Sequence, residues 1–276
     1  MTALGDGSGL PGKLSDQETR RANPFDQLPY AQVGGLRMAA LDRQATAELM
    51  VKVARERRGQ GGRPYVLSSA NGEVLSRCAN DAAVSSMFAE ADLLNADGQP
   101  LVLASRLFCR TPLPERVATT DLFHDVAKLA IKRQITSYMY GATDDENQRA
   151  VARAQELYPG LPIVGRSHGF LTGNALDRRI DEINELKPDI LWVALGIPRE
   201  QEFYRQFADR LPQVGLIKTS GGLFNFLSGT RKRAPDWMQK ASLEWLYRIK
   251  EEPRRLFWRY AVTNPHALFL LATRSG

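Results

Sequence analysis

Short apolar runs alternate with longer segments of helical periodicity along most of the chain. The apolar runs cover residues 65–68, 135–140, 161–164, 190–195 and 215–218, and a shorter segment at 92–94 leads into a polar turn. Between them, apolar residues recur every three or four positions over 42–57, 120–132, 144–157, 175–186 and 199–211. Such alternation is typical of parallel βα units. The pattern therefore predicts an α/β fold: a Rossmann-like, largely parallel sheet with helices on both faces. Pro162 would place its run at a sheet edge or at the start of a strand.

The first 33 residues depart from this pattern. They are rich in Gly, Pro, Ser, Asp and Arg, so we expect residues 1–33 to form a flexible tail. Within it, residues 7–14 resemble a phosphate-binding P-loop, but Leu14 stands where a Ser or Thr would hold magnesium and no strand can precede it, which argues against a nucleotide site. We expect neither export nor a membrane span, because an apolar leader and a run of roughly 18 to 20 apolar residues are both missing from the sequence.

The composition changes after Gly229. The whole chain has 37 Lys and Arg against 31 Asp and Glu, whereas the segment from residue 229 onward has ten against four. It also holds three of the four tryptophans, at helical spacing with other apolar residues. We therefore expect an α/β domain over 34–229 and a helical, basic, amphipathic appendage over 230–276, which would lie on an anionic membrane or cover a phosphorylated ligand. The alternative is a terminal helix pair packed on the core with a solvated basic face.

Few residues offer metal or acid–base chemistry. The two cysteines, Cys78 and Cys109, form no CxxC motif, so a reducing compartment is the default expectation. His124, His168 and His266 each have a structural interpretation, in a helix, in a turn and after a proline. An Asp-x-Asp pair is missing, so phosphate chemistry would rely on Arg, Lys and backbone donors. We expect no metal and no cofactor.

Polar residues after the predicted strands are the candidates for a ligand site, because ligands bind at the carboxyl ends of parallel strands. Asp97 follows the 92–94 segment and precedes Gly98. It is therefore either a general base in a cleft or the N-cap of the next helix. Gly141 and the pair Gly221-Gly222 would let backbone N–H groups approach a phosphate, although a tight turn alone would explain each.

Four motifs have a more specific pattern. They read GGLFNFLSG at 221–229, RKRAPDWMQK at 231–240, LEWLYR at 243–248 and EPRRL at 252–256. Shorter matches lie at 91–98, 104–106, 114–122 and 158–161. With these motifs the chain resembles the WecG/TagA/CpsF glycosyltransferases, glycosyltransferase family 26, over about residues 35–260.

The resemblance implies an inverting, metal-independent enzyme at the inner face of the bacterial cytoplasmic membrane. It would move a sugar from a UDP donor to a polyprenyl-diphosphate-linked saccharide in surface polysaccharide synthesis. The resemblance makes Asp97 the base for the acceptor hydroxyl, with Ser69 and Asn71 at the border of the same pocket and Arg116 close by. The donor-binding residues that it implies, together with the strand-end glycines, are Gly141, Gln201, Gly221, Gly222, Arg248, Arg254, Arg255 and Arg259. The implied partners are the donor, the acceptor and an anionic membrane surface, without nucleic acid, and the oligomeric state stays open.

Three positions differ from the family pattern. Asn225 stands where Asp is common, Ser69 stands where Thr is usual, and residues 198–202 read Pro-Arg-Glu-Gln-Glu in place of Pro-Lys-Gln-Glu. The donor contact therefore falls on Gln201 or on the residue beside it. Residues 264–276 lie outside the resemblance and receive no role.

Two rival functions stay open at this point. A nucleotide-sugar epimerase or hydrolase would share the donor pocket but need no acceptor. A non-catalytic basic protein would bind a membrane or nucleic acid, and its affinity for nucleic acid would fall steeply with salt.

Overall fold

The computed structural model describes residues 23–276, without the side chains of residues 236, 240 and 255. Its strands are β1 (Tyr30–Val33), β2 (Leu36–Ala39), β3 (Tyr65–Ala70), β4 (Leu93–Ala96), β5 (Ser137–Gly141), β6 (Ile163–Ser167), β7 (Ile190–Ala194) and β8 (Leu216–Thr219). Its helices are α1 (Arg43–Arg57), α2 (Gly72–Asn80), α3 (Ala82–Ala89), α4 (Gln99–Phe108), α5 (Thr119–Arg133), α6 (Asp144–Leu157), α7 (Gly173–Leu186), α8 (Arg199–Phe207), α9 (Leu223–Leu227), α10 (Asp236–Lys240), α11 (Glu244–Glu251) and α12 (Pro253–Thr273). A 3₁₀ turn, Ala208–Arg210, follows α8.

Strands β3 to β8 form a six-stranded sheet in the order β4-β3-β8-β7-β5-β6. Every neighbouring pair is parallel, which confirms the predicted fold class. β7 and β8, the last two strands in the sequence, lie between β3 and β5 in the sheet. Because all six carboxyl ends meet at one edge, loops that are far apart in the sequence become neighbours there.

The central strand β7 shows why helices cover both faces. Successive side chains of a strand point to opposite faces, and all five residues of β7 are buried. Trp192 packs edge-on against Phe123 of α5, with 5.2 Å between ring centroids. Leu191 and Val193 point to the opposite face of the sheet, where they belong to the hydrophobic cluster that contains Phe203 of α8. A strand that is apolar on both faces must be covered on both faces, which gives the sheet its two helical layers.

The predicted strands and helices all occur, and most of their ends are shifted by three residues or fewer. The larger shift is at α8, whose predicted end at residue 211 includes the 3₁₀ turn. Pro162 comes directly before β6, which is an edge strand, as predicted. Its carbonyl oxygen accepts a hydrogen bond from the Ser137 N–H at 2.8 Å.

The tail predicted over 1–33 is wrong for its last residues. Tyr30–Val33 is strand β1, which pairs antiparallel with β2. The turn between them needs Gly34 and Gly35, whose φ angles of 58° and 88° are left-handed. Phe25 is 1% exposed and its ring meets Tyr65 edge-on at 5.1 Å. Four residues are too short to show a period, so this strand was missed. Residues 1–22, including the P-loop-like segment 7–14, lie outside the described residues.

The C-terminal helix α12 returns across the domain. Leu270 and Leu271 are buried in the cluster that contains α2 and α4. His266 Nδ1 lies 2.9 Å from Ser76 Oγ, and the Gly35 N–H donates to the Arg274 carbonyl at 2.8 Å. Residues 264–276 therefore hold α12 on the domain, although the sequence assigned them no role.

Candidate active site

A cavity of about 1030 Å³ lies at the carboxyl edge of the sheet. Its floor is made by the residues after β3, β4, β5, β7 and β8, and its other wall is made by α11 and α12. The sequence-predicted residues that line it are Ser69, Asn71, Asp97, Arg116, Gln201, Gly221, Gly222, Arg248 and Arg259. The structure thus brings together residues from five loops and two terminal helices.

Two predicted donor-binding residues, Gly141 and Arg254, do not line the cavity. Gly141 is not among the lining residues: its φ is 134°, and a Cβ at this position would lie 2.2 Å from the Ala194 carbonyl oxygen. Its glycine is explained by the close approach of β7, while Ala142 and Thr143 after it do line the cavity. Arg254 is exposed and is likewise absent from the lining. The Arg255 side chain lies outside the described part of the chain.

Asp97 sits directly after β4, and its backbone N–H donates to the Ala70 carbonyl at 2.8 Å. The N-cap of α4 is Gly98, without a side-chain cap, so the alternative interpretation of Asp97 as the cap is wrong. Its Oδ2 accepts a long hydrogen bond from the Thr119 N–H at 3.4 Å. Burial raises the pKa of Asp97 and Glu244 adds to the rise, whereas Arg116 and Arg248 oppose it. A half-buried carboxylate with these neighbours has the chemistry of a proton acceptor.

Asn71 and Ser69 border Asp97 on the β3 side. The Asn71 Oδ1 accepts from the Val74 N–H at 3.1 Å and caps α2, so this residue has a structural role that the sequence did not show. The Ser69 hydroxyl lies 3.1 Å from the Thr119 hydroxyl. The contact between Ser69 and Thr119 connects the end of β3 to the start of α5.

Arg116 fastens the domain to α10 and α11. Its Nη1 donates to Glu244 Oε2 at 2.9 Å and its Nη2 donates to Gln239 Oε1 at 2.9 Å. It also forms an ion pair with Asp121 at 3.4 Å, and Arg233 bonds the same carboxylate. The Arg116 side chain is only 14% exposed. It holds α10 and α11 against the domain and also places a positive charge near Asp97.

The strand ends of β7 and β8 are joined by Glu200, which the sequence did not single out. Its Oε1 accepts four backbone N–H bonds: from Leu195 at 3.1 Å, Gly196 at 3.2 Å, Ser220 at 3.3 Å and Gly221 at 2.6 Å. Burial raises the pKa of Glu200, and the N–H groups of Gly221, Gly196 and Leu195 oppose the rise together with the charge of Lys218. The Gly221 N–H, expected to face a phosphate, is therefore used within the protein.

Gln201 follows Glu200 in α8 and is 1% exposed. It lines the cavity, and its Oε1 has no hydrogen-bond partner among the described residues. A buried amide oxygen without a partner is costly, so a ligand donor at this place would satisfy it. The donor contact predicted for Gln201 stays a prediction.

Lys218 is the second residue that the sequence analysis missed. It ends an apolar strand, is 0% exposed, and its Nζ donates to Ser69 Oγ at 2.9 Å, Thr119 Oγ1 at 3.3 Å and the Thr219 carbonyl at 2.8 Å. Burial lowers the pKa of Lys218 to about 8, and Asp97 and Glu200 oppose that shift. The local sequence gives no signal for this site, because Thr119 and Ser69, whose hydroxyls accept from Nζ, lie 99 and 149 positions away.

The outer surface of the terminal helices is apolar as well as basic. The exposed large apolar side chains of α10 to α12 are Trp237, Trp245, Leu246, Phe257, Trp258, Val262, Leu268 and Phe269. Across residues 23–276, we find no helix whose length and apolar character would let it cross a membrane. The same described residues contain no group of three or more His, Cys, Asp or Glu arranged to hold a metal ion.

A parallel sheet with helices on both faces, and a cavity at its carboxyl edge walled by basic helices, defines a Rossmann-like α/β protein. More specifically, the chain belongs to the WecG/TagA/CpsF family of glycosyl transferases, whose family model matches residues 31–275. The resemblance seen in the motifs is thereby confirmed, and the match also includes 264–275, which had been left outside it.

Relatives from Bacillus and Staphylococcus extend this comparison. The chain is 31% identical to an N-acetylglucosaminyldiphosphoundecaprenol N-acetyl-β-D-mannosaminyltransferase of Bacillus subtilis over 210 residues. The aligned region covers 75% of this chain and 78% of the relative. A relative of the same name from Bacillus spizizenii is 32% identical over 199 residues, covering 71% and 74%. One from Staphylococcus aureus is 26% identical over 188 residues, covering 68% and 72%.

Proposed function

We propose that this chain transfers a sugar from a UDP-sugar to a polyprenyl-diphosphate-linked saccharide, with inversion and without a metal. The names of the relatives support the acceptor class, because those proteins act on a sugar-diphosphate-undecaprenol. The observation that carries the proposal is the position of Asp97. Its half-buried carboxylate lies at the floor of an arginine-lined cavity and does not cap a helix.

In this mechanism Asp97 accepts the proton of the acceptor hydroxyl while that oxygen attacks the anomeric carbon. The new C–O bond forms on the face opposite the bond to UDP, and the electron pair of the broken bond leaves with UDP. One displacement of this kind inverts the anomeric configuration. A raised pKa suits the task, because a base whose pKa is closer to the working pH takes a proton more readily.

The departing diphosphate needs positive charge, which the cavity wall can supply. Arg231, Arg248 and Arg259 line the cavity. Guanidinium groups bind diphosphate oxygens in pairs of hydrogen bonds and stay charged at any working pH. We assign the stabilisation of UDP to these residues, and keep Arg254 and Arg255 as further candidates.

We place the enzyme peripherally on the inner face of the cytoplasmic membrane. The exposed aromatic side chains of α10 to α12 lie on the same segment as the excess of basic residues. Such a surface binds anionic lipid through both apolar burial and charge. A membrane-bound acceptor would then meet the cavity from the side that α11 and α12 form.

The test is release of UDP by the purified chain from a panel of UDP-sugars, beginning with UDP-N-acetylmannosamine, with and without a short-chain polyprenyl-diphosphate-linked N-acetylglucosamine. Release that needs one donor and the lipid acceptor supports the proposal. Release without the acceptor would replace it with hydrolysis, and binding of nucleic acid without any turnover would favour the non-catalytic rival.

The variant Asp97→Asn should lose turnover but keep its affinity for UDP-sugar, because the amide has the same shape and cannot take the proton. Asp209→Asn is the matched control, since the Asp209 side chain is 87% exposed and does not line the cavity. Equal turnover by wild type and Asp97→Asn would remove Asp97 from the mechanism.

A further inference from the structure

A cation that the proposed mechanism does not use lies behind Ser69 and Thr119, two residues that line the cavity. Lys218 is fully buried at the end of β8, in the middle of the sheet. An ammonium has three N–H bonds to donate, and Nζ has three acceptors: the hydroxyls of Ser69 and Thr119 and the Thr219 carbonyl. A buried charge is tolerated only when it is bonded in this way, so the ammonium form of Lys218 is matched to its surroundings.

The two hydroxyls are constrained by this arrangement. Both oxygens accept from Lys218, and they lie 3.1 Å from each other, so one hydroxyl donates to the other. The remaining hydroxyl proton then has to turn towards the cavity, which Ser69 and Thr119 both line. The backbone N–H of the same Thr119 donates to Asp97, which links the lysine cluster to the carboxylate.

Lys218 also affects the ionisation of two nearby carboxyl groups. Asp97 and Glu200 are the two carboxylates that favour its ammonium form, and by reciprocity the ammonium favours the ionised form of each. The other groups that face Asp97 are Arg116 and Arg248, which also favour ionisation, and Glu244, which opposes it. Of these cations, Lys218 is the one built into the sheet itself.

We propose that Lys218 is a positioning residue for transfer: its ammonium orients the Ser69 and Thr119 hydroxyls and keeps Asp97 ionised to receive the proton of the acceptor. This proposal rests on the proposed function for its catalytic part. Its electrostatic part concerns the carboxyl group of Asp97 alone and can be measured without turnover.

The decisive variant is Lys218→Met, which keeps the length of the side chain and removes the charge and all three donors. The matched control is Ser68→Ala, which removes a buried hydrogen bond of 2.9 Å to Thr219 between the same two strands and leaves the partners of Nζ in place. Thermal unfolding of both variants checks that each is folded.

Two measurements follow on the full chain. The first is the pH dependence of kcat/KM, whose acid limb reports protonation of Asp97. In Lys218→Met this limb should move up by about one pH unit, so that at the wild-type midpoint kcat/KM should fall about fivefold. The second is the titration of the Asp97 carboxyl by ¹³C NMR of aspartate-labelled protein, assigned by comparison with Asp97→Asn. It should move up by a similar amount. Ser68→Ala should shift neither.

The outcomes separate the two proposals. A shifted carboxyl titration with no transferase activity in wild type would keep the electrostatic role of Lys218 and overturn the proposed function. An active wild type whose acid limb and carboxyl titration are both unchanged in folded Lys218→Met would overturn the role of Lys218. Loss of UDP binding with an unchanged titration would also overturn it, since Lys218 would then serve the donor site alone.

Discussion

Replacing Glu200 by alanine should loosen the ends of β7 and β8 together. One carboxylate oxygen accepts the N–H groups of Leu195, Gly196, Ser220 and Gly221 at 2.6 to 3.3 Å. Each bond contributes about 1 kcal/mol net, so Glu200→Ala should lower the free energy of unfolding by about 4 kcal/mol. Glu200→Gln keeps an acceptor oxygen in the same place and avoids burying a charge, so its change should stay within about 1 kcal/mol.

Chemical and thermal unfolding of the full chain measure the difference. For a chain of this size the alanine variant should melt about 10 °C below wild type, whereas the glutamine variant should stay within a few degrees. Calorimetric binding of UDP should weaken in the alanine variant as well, because Ser220 and Gly221, which line the cavity, are held by the same carboxylate. Equal unfolding by the alanine and glutamine variants would refute the reasoning, since the four N–H groups would then have other acceptors.

Two further predictions concern the strand ends and the terminal helices. Gly141→Ala should destabilise the fold by about 3 kcal/mol more than the control Gly160→Ala. A Cβ at position 141 would lie 2.2 Å from the Ala194 carbonyl oxygen, whereas Gly160 also has a positive φ but no heavy atom within 4 Å of such a Cβ. Equal free energies of unfolding for the two variants would show that β7 can move away. The double variant Phe257→Ser/Trp258→Ser should bind anionic vesicles at least about tenfold more weakly in a sedimentation assay, because two exposed aromatic groups no longer enter the lipid. Leu157→Ser, on the exposed side of α6, should bind like wild type, and strong binding by the double variant would place the membrane contact elsewhere.

The alternation of apolar runs and helical periods was sufficient to predict the α/β class, and the six strands of the sheet occur where that pattern placed them. The reason is local: a strand buried on both faces must be apolar along its length, and an amphipathic helix must repeat its apolar residues every three or four positions. The hairpin of β1 and β2 lacks such a signal, since each strand has only four residues.

The candidate site shows a similar division. Asp97 and Gly222 follow strands, so the rule that ligands bind at the carboxyl ends of parallel strands was enough to propose them, whereas Gln201 came from the family resemblance. The family motifs added Arg116 and the arginines of the terminal helices. The rule could not distinguish a glycine that faces the cavity from Gly141, whose conformation serves the close approach of β7.

What the sequence determined by itself is therefore the class of fold, the edge of the sheet that carries the site, and the family. The tertiary structure alone decided the strand order, the return of α12 onto α2, and the two charges buried at the carboxyl edge of the sheet, Glu200 and Lys218. Lys218 looks like the polar end of an apolar strand until Ser69 and Thr119 are brought to it, and Glu200 looks like a helix-surface residue until the ends of β7 and β8 surround it. Local patterns report which side of an element is buried, whereas a charge buried in a sheet is stabilised by partners that the chain supplies from a hundred residues away.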